Sequence, residues 1–115
     1  LEIYKVTKDF PKSEQSNITS QIRRASVSIP LNIVEGSAKA SSKEFLYFLN
    51  VAYASAKEVE VLLSLCKDLN YLDINQSKML LQRLDELNAG LFLFIRTVES
   101  KITSKKTKFF QKFNE

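Results

Sequence analysis

The 115-residue sequence has no histidine and no tryptophan, and it contains only two glycines, two prolines and one cysteine. Histidine is the commonest general base and a frequent metal ligand, so its absence argues against acid–base and metal chemistry. The sequence also lacks a glycine-rich phosphate loop and a nucleophile elbow. We therefore expect a protein that is not an enzyme and has no catalytic residue, no cofactor and no metal site.

A single cysteine cannot form an intramolecular disulfide, which favours a reducing, cytoplasmic setting. Cys66 falls on the apolar arc of a predicted helix, where we interpret it as a small buried thiol rather than a nucleophile. No apolar run is long enough to span a bilayer, and no charged-then-apolar signal segment is present. We expect no membrane partner.

The scarcity of glycine and proline favours long helices over strands and turns. Short polar connections separate four helical patterns, which predicts an all-α, antiparallel up-down-up-down four-helix bundle over residues 1–104. The first helix is short or truncated and ends at Phe10-Pro11, because a residue that precedes proline avoids the α region. Since the chain begins inside this helix, we expect further sequence upstream. Residues 105–115 are predicted to form a basic, aromatic C-terminal tail.

The second helix is central to the fold because its sequence, ITSQIRRASVSIPLNIVEG, is apolar on two opposed faces. One face consists of Ile18, Ile22, Ala25, Ile29 and Ile33. The other consists of Val27, Leu31 and Val34. A small monomeric bundle cannot bury both, so we assign the first to the core and the second to an interface with another copy or a partner. Pro30 lies between them and should kink the helix.

The helix ends carry recognisable signals. Ser41 with Glu44, and Asp73 with Gln76, have the spacing of capping boxes that begin the third and fourth helices. Gly36 is predicted to close the second helix. Heptad-like seams should form the core faces of the last two helices: Phe45, Leu49, Ala52, Ala56, Val59, Leu63, Cys66, Leu81, Leu84, Leu91, Ile95, Val98 and Ile102, with Leu80, Leu87 and Phe94 alongside.

Asn32 and Glu35 are the polar residues of greatest interest on the second helix. They could form a polar recognition site. They could instead hold the kink and the packing of neighbouring helices through hydrogen bonds, with Glu35 also pairing with Lys39 four residues on. We favour this structural interpretation.

The net charge of +4 comes entirely from residues 101–115, which contain five lysines and one glutamate, whereas residues 1–100 are balanced. The tail interleaves Lys105, Lys106 and Lys108 with phenylalanines, a mixture found in proteins that bind single-stranded nucleic acid. A solubilising end, or phenylalanines that dock on a neighbouring subunit, would explain the tail equally well. Arg23 and Arg24 could contact phosphates, although paired arginines on a helix are more often a solvated face or ion-pair partners.

Two ordered sets of residues resemble one protein family. They are QIRRASVSIPLNIVEGSAKASSKEF, and FLNVAYASAKEVEVLL followed by DLNYLD. These segments resemble small bacterial four-helix-bundle proteins that are often encoded within intervening sequences of large-subunit ribosomal RNA genes. They are also similar to the accessory variability protein of diversity-generating retroelements. The resemblance covers roughly residues 10–72, and the last helix follows only by pattern.

The resemblance implies a ring-like homopentamer with a longer first helix, no known enzymatic activity, and an association with RNA or with a nucleic-acid-processing partner. Two hypotheses follow. Either the oligomer binds RNA or DNA directly through Arg23, Arg24 and the tail lysines, or it is a scaffold that presents a surface to a nucleic-acid-processing protein. The balanced charge of residues 1–100 keeps the second hypothesis open.

Overall fold

The computed structural model describes the backbone of residues 2–39 and 41–114, and the side chains of residues 2–39 and 41–104. A short helix, α1 (Glu2–Thr7), is followed by a single 3-10 turn (Lys12–Glu14). Three long helices come next: α2 (Ile18–Ser37), α3 (Ser42–Asp68) and α4 (Ile74–Asn114). The described part of the chain contains no strand, so the prediction of an all-α fold with a short first helix is confirmed.

The helices pack antiparallel in chain order, with α3 in the middle. α3 packs against both α2 and α4, and α1 lies against α2. At a rise of 1.5 Å per residue, the 41 residues of α4 extend about 60 Å and the 27 residues of α3 about 40 Å. The last turns of α4 therefore extend beyond its partner.

The buried faces follow the predicted apolar periodicity, except that Leu87 and Phe94 on α4 are exposed. On α2, Ile22 is fully buried, and Ile18, Ala25 and Ile29 are at most 7% exposed. The α3 seam from Leu49 to Cys66 is buried throughout, and Cys66 is a buried free thiol. On α4, the buried apolar side chains are Leu80, Leu84, Leu91, Ile95 and Val98.

Both predicted helix starts are confirmed, but only Asp73 with Gln76 forms a complete capping box. At Ser41, Glu44 Oε1 accepts from the Ser41 hydroxyl at 3.2 Å rather than from its backbone N–H. The Glu44 backbone N–H donates to Ser41 Oγ at 3.2 Å, and the Gln76 backbone N–H donates to Asp73 Oδ1 at 2.7 Å. Gln76 Oε1 in turn accepts from the Asp73 backbone N–H at 3.3 Å, so both donors are satisfied. Asn70 ends α3 in the left-handed region, with φ of 61°.

The prediction that Gly36 closes α2 is wrong. α2 continues to Ser37, its C-cap is Ala38, and no glycine has a positive φ. Gly36 is buried instead, and a Cβ built on it would lie 2.7 Å from Phe48 Cβ and 2.9 Å from Phe45 Cδ1. Glycine is required because α2 and α3 approach each other closely here.

Pro30 lies inside α2, whose helical assignment is unbroken from Ile18 to Ser37; the kink stays a prediction. Helix α4 continues to Asn114, so the backbone stays helical beyond residue 104. The assignment of residues 105–115 as a separate basic tail also stays a prediction.

Candidate functional site

Arg23 and Arg24 border a polar cleft between α1 and the first half of α2. The cleft has a volume of about 600 Å³. It is lined by Tyr4, Gln15, Thr19, Ser20, Arg23 and Arg24, and these residues include no carboxylate. The arrangement suits an anionic ligand, because both charges at the cleft are positive and the other polar groups are hydroxyls and an amide.

Arg23 is held in place by two contacts with α1. Its Nε donates to Thr7 Oγ1 at 2.9 Å, and its guanidinium carbon lies 4.8 Å from the centre of the Tyr4 ring. Thr7 Oγ1 in turn donates to the Ile3 carbonyl at 2.6 Å, which fixes the hydroxyl that receives Arg23. The guanidinium is thus oriented through one edge, and its terminal nitrogens bond no other side chain in the described part of the chain.

Arg24 is exposed, and its only described partner is Ser20 Oγ, which lies 3.4 Å from Nη2. The ion pairs found among residues 2–39 and 41–104 involve neither Arg24 nor Arg23. Paired arginines on a helix have two ordinary roles, as a solvated face or as ion-pair partners. The described residues show no ion pair for either arginine.

Lys105, Lys106 and Lys108 lie on α4, but their side chains fall outside the described residues. Their predicted contact with nucleic acid stays a prediction.

The structure separates Asn32 from Glu35. Asn32 Nδ2 donates to the Ser28 carbonyl at 2.7 Å and to Ser28 Oγ at 2.8 Å. Ser28 Oγ also hydrogen-bonds Ser55 Oγ on α3 at 2.9 Å. Asn32 therefore belongs to a polar link between α2 and α3, whereas the exposed Glu35 pairs with Lys39 at 3.7 Å.

Val27, Leu31 and Val34, which we call the α2 strip, lie on the surface of the single chain. Their exposed fractions are 39%, 61% and 65%. Large apolar side chains at successive turns of one helix face are costly to leave in water, and such strips commonly mark contacts with another protein.

Two further features escaped the sequence reasoning. The role of Tyr4 and Thr7 in orienting Arg23 depends on how α1 packs against α2, and no local pattern signals it. The second feature is an apolar groove of about 260 Å³ between the helices, lined mainly by Ile3, Ile29, Val59, Leu63, Leu80, Leu84 and Leu87. Apart from Ile3, these lining residues were predicted as core, but the groove between them was not predicted.

Cys66 has the character of a buried thiol. Burial, together with the nearby Glu14 carboxylate, raises the pKa of the Cys66 thiol to about 11. The thiol is therefore protonated near neutral pH and is a poor nucleophile.

No group of three or more Asp, Glu or Cys side chains in the described part of the chain is placed to hold a metal ion. None of the helices, searched over the same residues, is long and apolar enough to cross a bilayer.

Comparison with known proteins places these features in context. The family model for the 23S rRNA-intervening sequence protein matches residues 1–92. A crystal structure of a protein of unknown function from the S23 ribosomal protein family of Bacteroides thetaiotaomicron VPI-5482 is similar to this chain, with 28% sequence identity and a TM-score of 0.73. That similarity covers 82% of this chain and 85% of the other. No curated protein matches the chain.

Proposed function

The chain belongs to the 23S rRNA-intervening sequence protein family, and on this basis we propose that it is a non-enzymatic, self-associating helical bundle that binds RNA. The same residues could contact the phosphates of DNA. We propose RNA as the ligand because the family description refers to 23S rRNA. We assign the contact surface to the cleft around Arg23 and Arg24, supplemented by Lys105, Lys106 and Lys108.

The observation that carries this proposal is the state of Arg23. A guanidinium that is oriented by a ring and a hydroxyl, but not neutralised by a described carboxylate, retains donors for a phosphate oxygen. Contacts between arginine and phosphate are charge-assisted and frequently bidentate, and they account for much of the affinity of nucleic-acid binders. Arg24 adds a second positive charge on the same side of α2.

Self-association is part of the proposal because the charge of one chain is small. The net charge is +4, and residues 1–100 contribute nothing to it. The exposed α2 strip offers an apolar surface through which copies of the chain can assemble. Assembly would place several clefts and lysine-rich ends on one particle, and such multivalent contacts strengthen binding without any new type of interaction. A homopentamer is the assembly that we expect.

The test is RNA binding measured by fluorescence anisotropy at several salt concentrations. Replacing both arginines (Arg23→Gln with Arg24→Gln) should weaken binding. The slope of log affinity against log salt should become shallower by about 1.4 for each cleft that contacts a single-stranded RNA, since each phosphate contact contributes about 0.7. The triple change of Lys105, Lys106 and Lys108 to Glu should weaken binding further.

A matched control removes two charges elsewhere. Lys43 and Lys67 are exposed on α3, and Lys43→Gln with Lys67→Gln should change the slope much less. If the assembled wild-type protein has no affinity for RNA or DNA at low salt, the proposed function is wrong.

A second candidate function is a scaffold for a nucleic-acid-processing protein, without direct contact to nucleic acid. The observation that favours it is a cluster of exposed apolar side chains on α4, where Phe92, Leu93 and Phe94 are 48%, 66% and 44% exposed. A specific partner that stays bound after nuclease treatment, and is lost when Leu93 becomes Asp, would support this function. Dependence of that partner on intact RNA would contradict it.

A further inference from the structure

We propose that the cleft between α1 and α2 is a built subsite for one phosphate group, whose ligands come from the first turn of α2, Thr19, Arg23 and Arg24. This inference rests on the proposed function, because it uses the same arginines and names the chemical group that they recognise. It goes further in assigning Thr19 and the end of a helix to the site. The phosphate could be a phosphodiester of RNA or a free phosphate group.

The first turn of α2 provides backbone donors. α2 has 20 residues, and its N-cap residue, Asn17, makes no capping hydrogen bond through its side chain. The side-chain amide of Asn17 instead donates through Nδ2 to Glu14 Oε2 at 3.4 Å. The first N–H groups of a helix have no partner within the helix, and the helix dipole adds partial positive charge there, so an uncapped N-terminus favours an anion.

Thr19 supplies an independent indication of a ligand. This residue lines the cleft, is only 3% exposed, and its Oγ1 has no hydrogen-bond partner in the described part of the chain. Two other threonines show the usual alternative, since Thr7 and Thr97 each donate to the carbonyl four residues earlier. A buried hydroxyl without a partner is unfavourable, and a phosphate oxygen, reached after a small shift of the side chain, would satisfy it.

The charged side chains that line the cleft are both positive, which favours an anion. The first turn of α2 contains no acidic residue, although acidic side chains stabilise a helix N-terminus. Glu14 is close in sequence, but its oxygens accept from Tyr71 Oη at 3.3 Å and from Asn17 at 3.4 Å. The positive charges of Arg23 and Arg24 are thus left without a neutralising carboxylate among the cleft-lining residues.

Arg23 and Arg24 would contribute to phosphate binding in different ways. Arg23 is fixed by Tyr4 and Thr7, so it can present its terminal nitrogens with little loss of conformational freedom. Arg24 is exposed and weakly tied to Ser20, so it can close over a bound group. Thr19 is buried, so its hydroxyl and the neighbouring N–H groups of the first turn would donate to the phosphate oxygens that face away from solvent.

The test follows inorganic phosphate by two-dimensional ¹⁵N NMR of the full chain, with sodium chloride at equal ionic strength as the control. We expect saturable shifts at the backbone N–H groups of Ile18, Thr19 and Ser20 and at Arg23 Nε. Thr19→Val keeps the shape of the side chain and removes the hydroxyl, and it should weaken phosphate binding about tenfold. Thr97→Val, on the exposed side of α4, is the matched control and should leave phosphate binding unchanged.

Thermal stability distinguishes a phosphate ligand from a residue that only stabilises the fold, because loss of a stabilising hydroxyl would lower the Tm. Because the wild-type hydroxyl is unpaired, Thr19→Val should maintain or raise thermal stability while it weakens phosphate binding. Shifts that do not saturate, or that chloride reproduces, would overturn the subsite. So would phosphate binding by Thr19→Val equal to that of the wild type.

Anisotropy with single-stranded RNA separates this inference from the proposed function. If the wild type binds RNA but Thr19→Val and excess inorganic phosphate leave that binding unchanged, the proposed function stands and the subsite is wrong. If phosphate binds in a Thr19-dependent way but RNA does not bind, the subsite stands with a free phosphate group as its ligand, and the proposed function is wrong. Competition between RNA and phosphate, lost in Thr19→Val, would support both.

Discussion

Gly36 and Gly90 form a natural pair for testing how closely α2 and α3 pack. Both lie within helices, but a Cβ on Gly36 would be 2.7 Å from Phe48 Cβ, whereas a Cβ on Gly90 would meet nothing within 4 Å. Exchanging glycine for alanine inside a helix favours folding by about 1 kcal/mol when nothing obstructs the new methyl group. Gly90→Ala should therefore raise the free energy of unfolding by about that amount.

Gly36→Ala gains the same helix propensity but must also separate two helices. The obstructing atom is a Cβ, which cannot move without the α3 backbone, and Phe45 Cδ1 lies 2.9 Å from the new methyl group on the same side. Overpacking of this kind costs about 1–3 kcal/mol. After the gain of about 1 kcal/mol in propensity is subtracted, Gly36→Ala should lower the free energy of unfolding by about 0–2 kcal/mol.

The two variants should therefore differ by the overpacking cost, about 1–3 kcal/mol, or about 4–12 °C in Tm for a domain of this size. Urea and thermal unfolding followed by circular dichroism at 222 nm would measure this difference. One fixed protein concentration is needed because the proposed self-association would also stabilise the fold. If Gly36→Ala proves as stabilising as Gly90→Ala, the helices do not approach as closely as described. The reasoning would then be refuted.

Two further predictions concern single contacts. The pKa of the Cys66 thiol is about 11 in the folded chain and 9.0 when unperturbed, so the unfolded chain loses this proton first as pH rises. The contribution of the buried neutral thiol to the free energy of unfolding is therefore complete below pH 9 and is lost towards pH 11. In unfolding experiments at a series of pH values, Cys66→Ala should reduce the fall in stability between pH 9 and pH 11. Ser55→Ala removes the hydrogen bond with Ser28 Oγ between α3 and α2 and should lower the free energy of unfolding by about 1 kcal/mol, whereas Ser100→Ala, on the exposed face of α4, should change little in the same denaturation experiment.

The sequence predicts the buried faces well, because burial follows from the period of the apolar residues. Ile22, Leu49 and Leu63 are at most 1% exposed, and each lies on a seam that can be identified by spacing alone. The helix starts at Ser41 and Asp73 follow equally local rules, since a cap and its partner are three residues apart.

The same periodicity overestimates burial on α4. Leu87 and Phe94 continue the α4 pattern, yet they are 40% and 44% exposed. In the described part of the chain α4 packs mainly against α3, so the edge of its apolar arc is not covered. Periodicity shows which side of a helix is apolar, but the arrangement of the other helices determines how wide a part of that side is buried.

The candidate site could also be predicted only in part from the sequence. The paired arginines are visible in the sequence, but their partners lie on α1 or at the start of α2. Gly36 gives another example, since a glycine near a helix end has the same sequence signal whether it terminates the helix or admits a neighbouring one. Only the position of Phe45 and Phe48 identifies it as a close-approach glycine.

The last prediction links the α2 strip to RNA binding. Leu31 is 61% exposed on α2, so Leu31→Asp should leave the helical circular dichroism signal nearly unchanged. If the strip joins subunits, the same change places a charge in an apolar interface and should lower the mass measured by light scattering. Leu93→Asp is the matched control, because Leu93 is similarly exposed, at 66%, but lies on α4.

Loss of assembly should affect RNA and phosphate differently. A single cleft binds one phosphate group whether or not the chain is assembled, so Leu31→Asp should leave the affinity for inorganic phosphate unchanged. RNA can bridge several clefts at once, and multivalency of this kind raises affinity by about 10²–10⁴-fold. Leu31→Asp should therefore weaken RNA binding at least tenfold although neither arginine is altered. An unchanged mass would contradict the assignment of the α2 strip as the subunit contact, and unchanged RNA affinity in a dissociated protein would show that the clefts act singly.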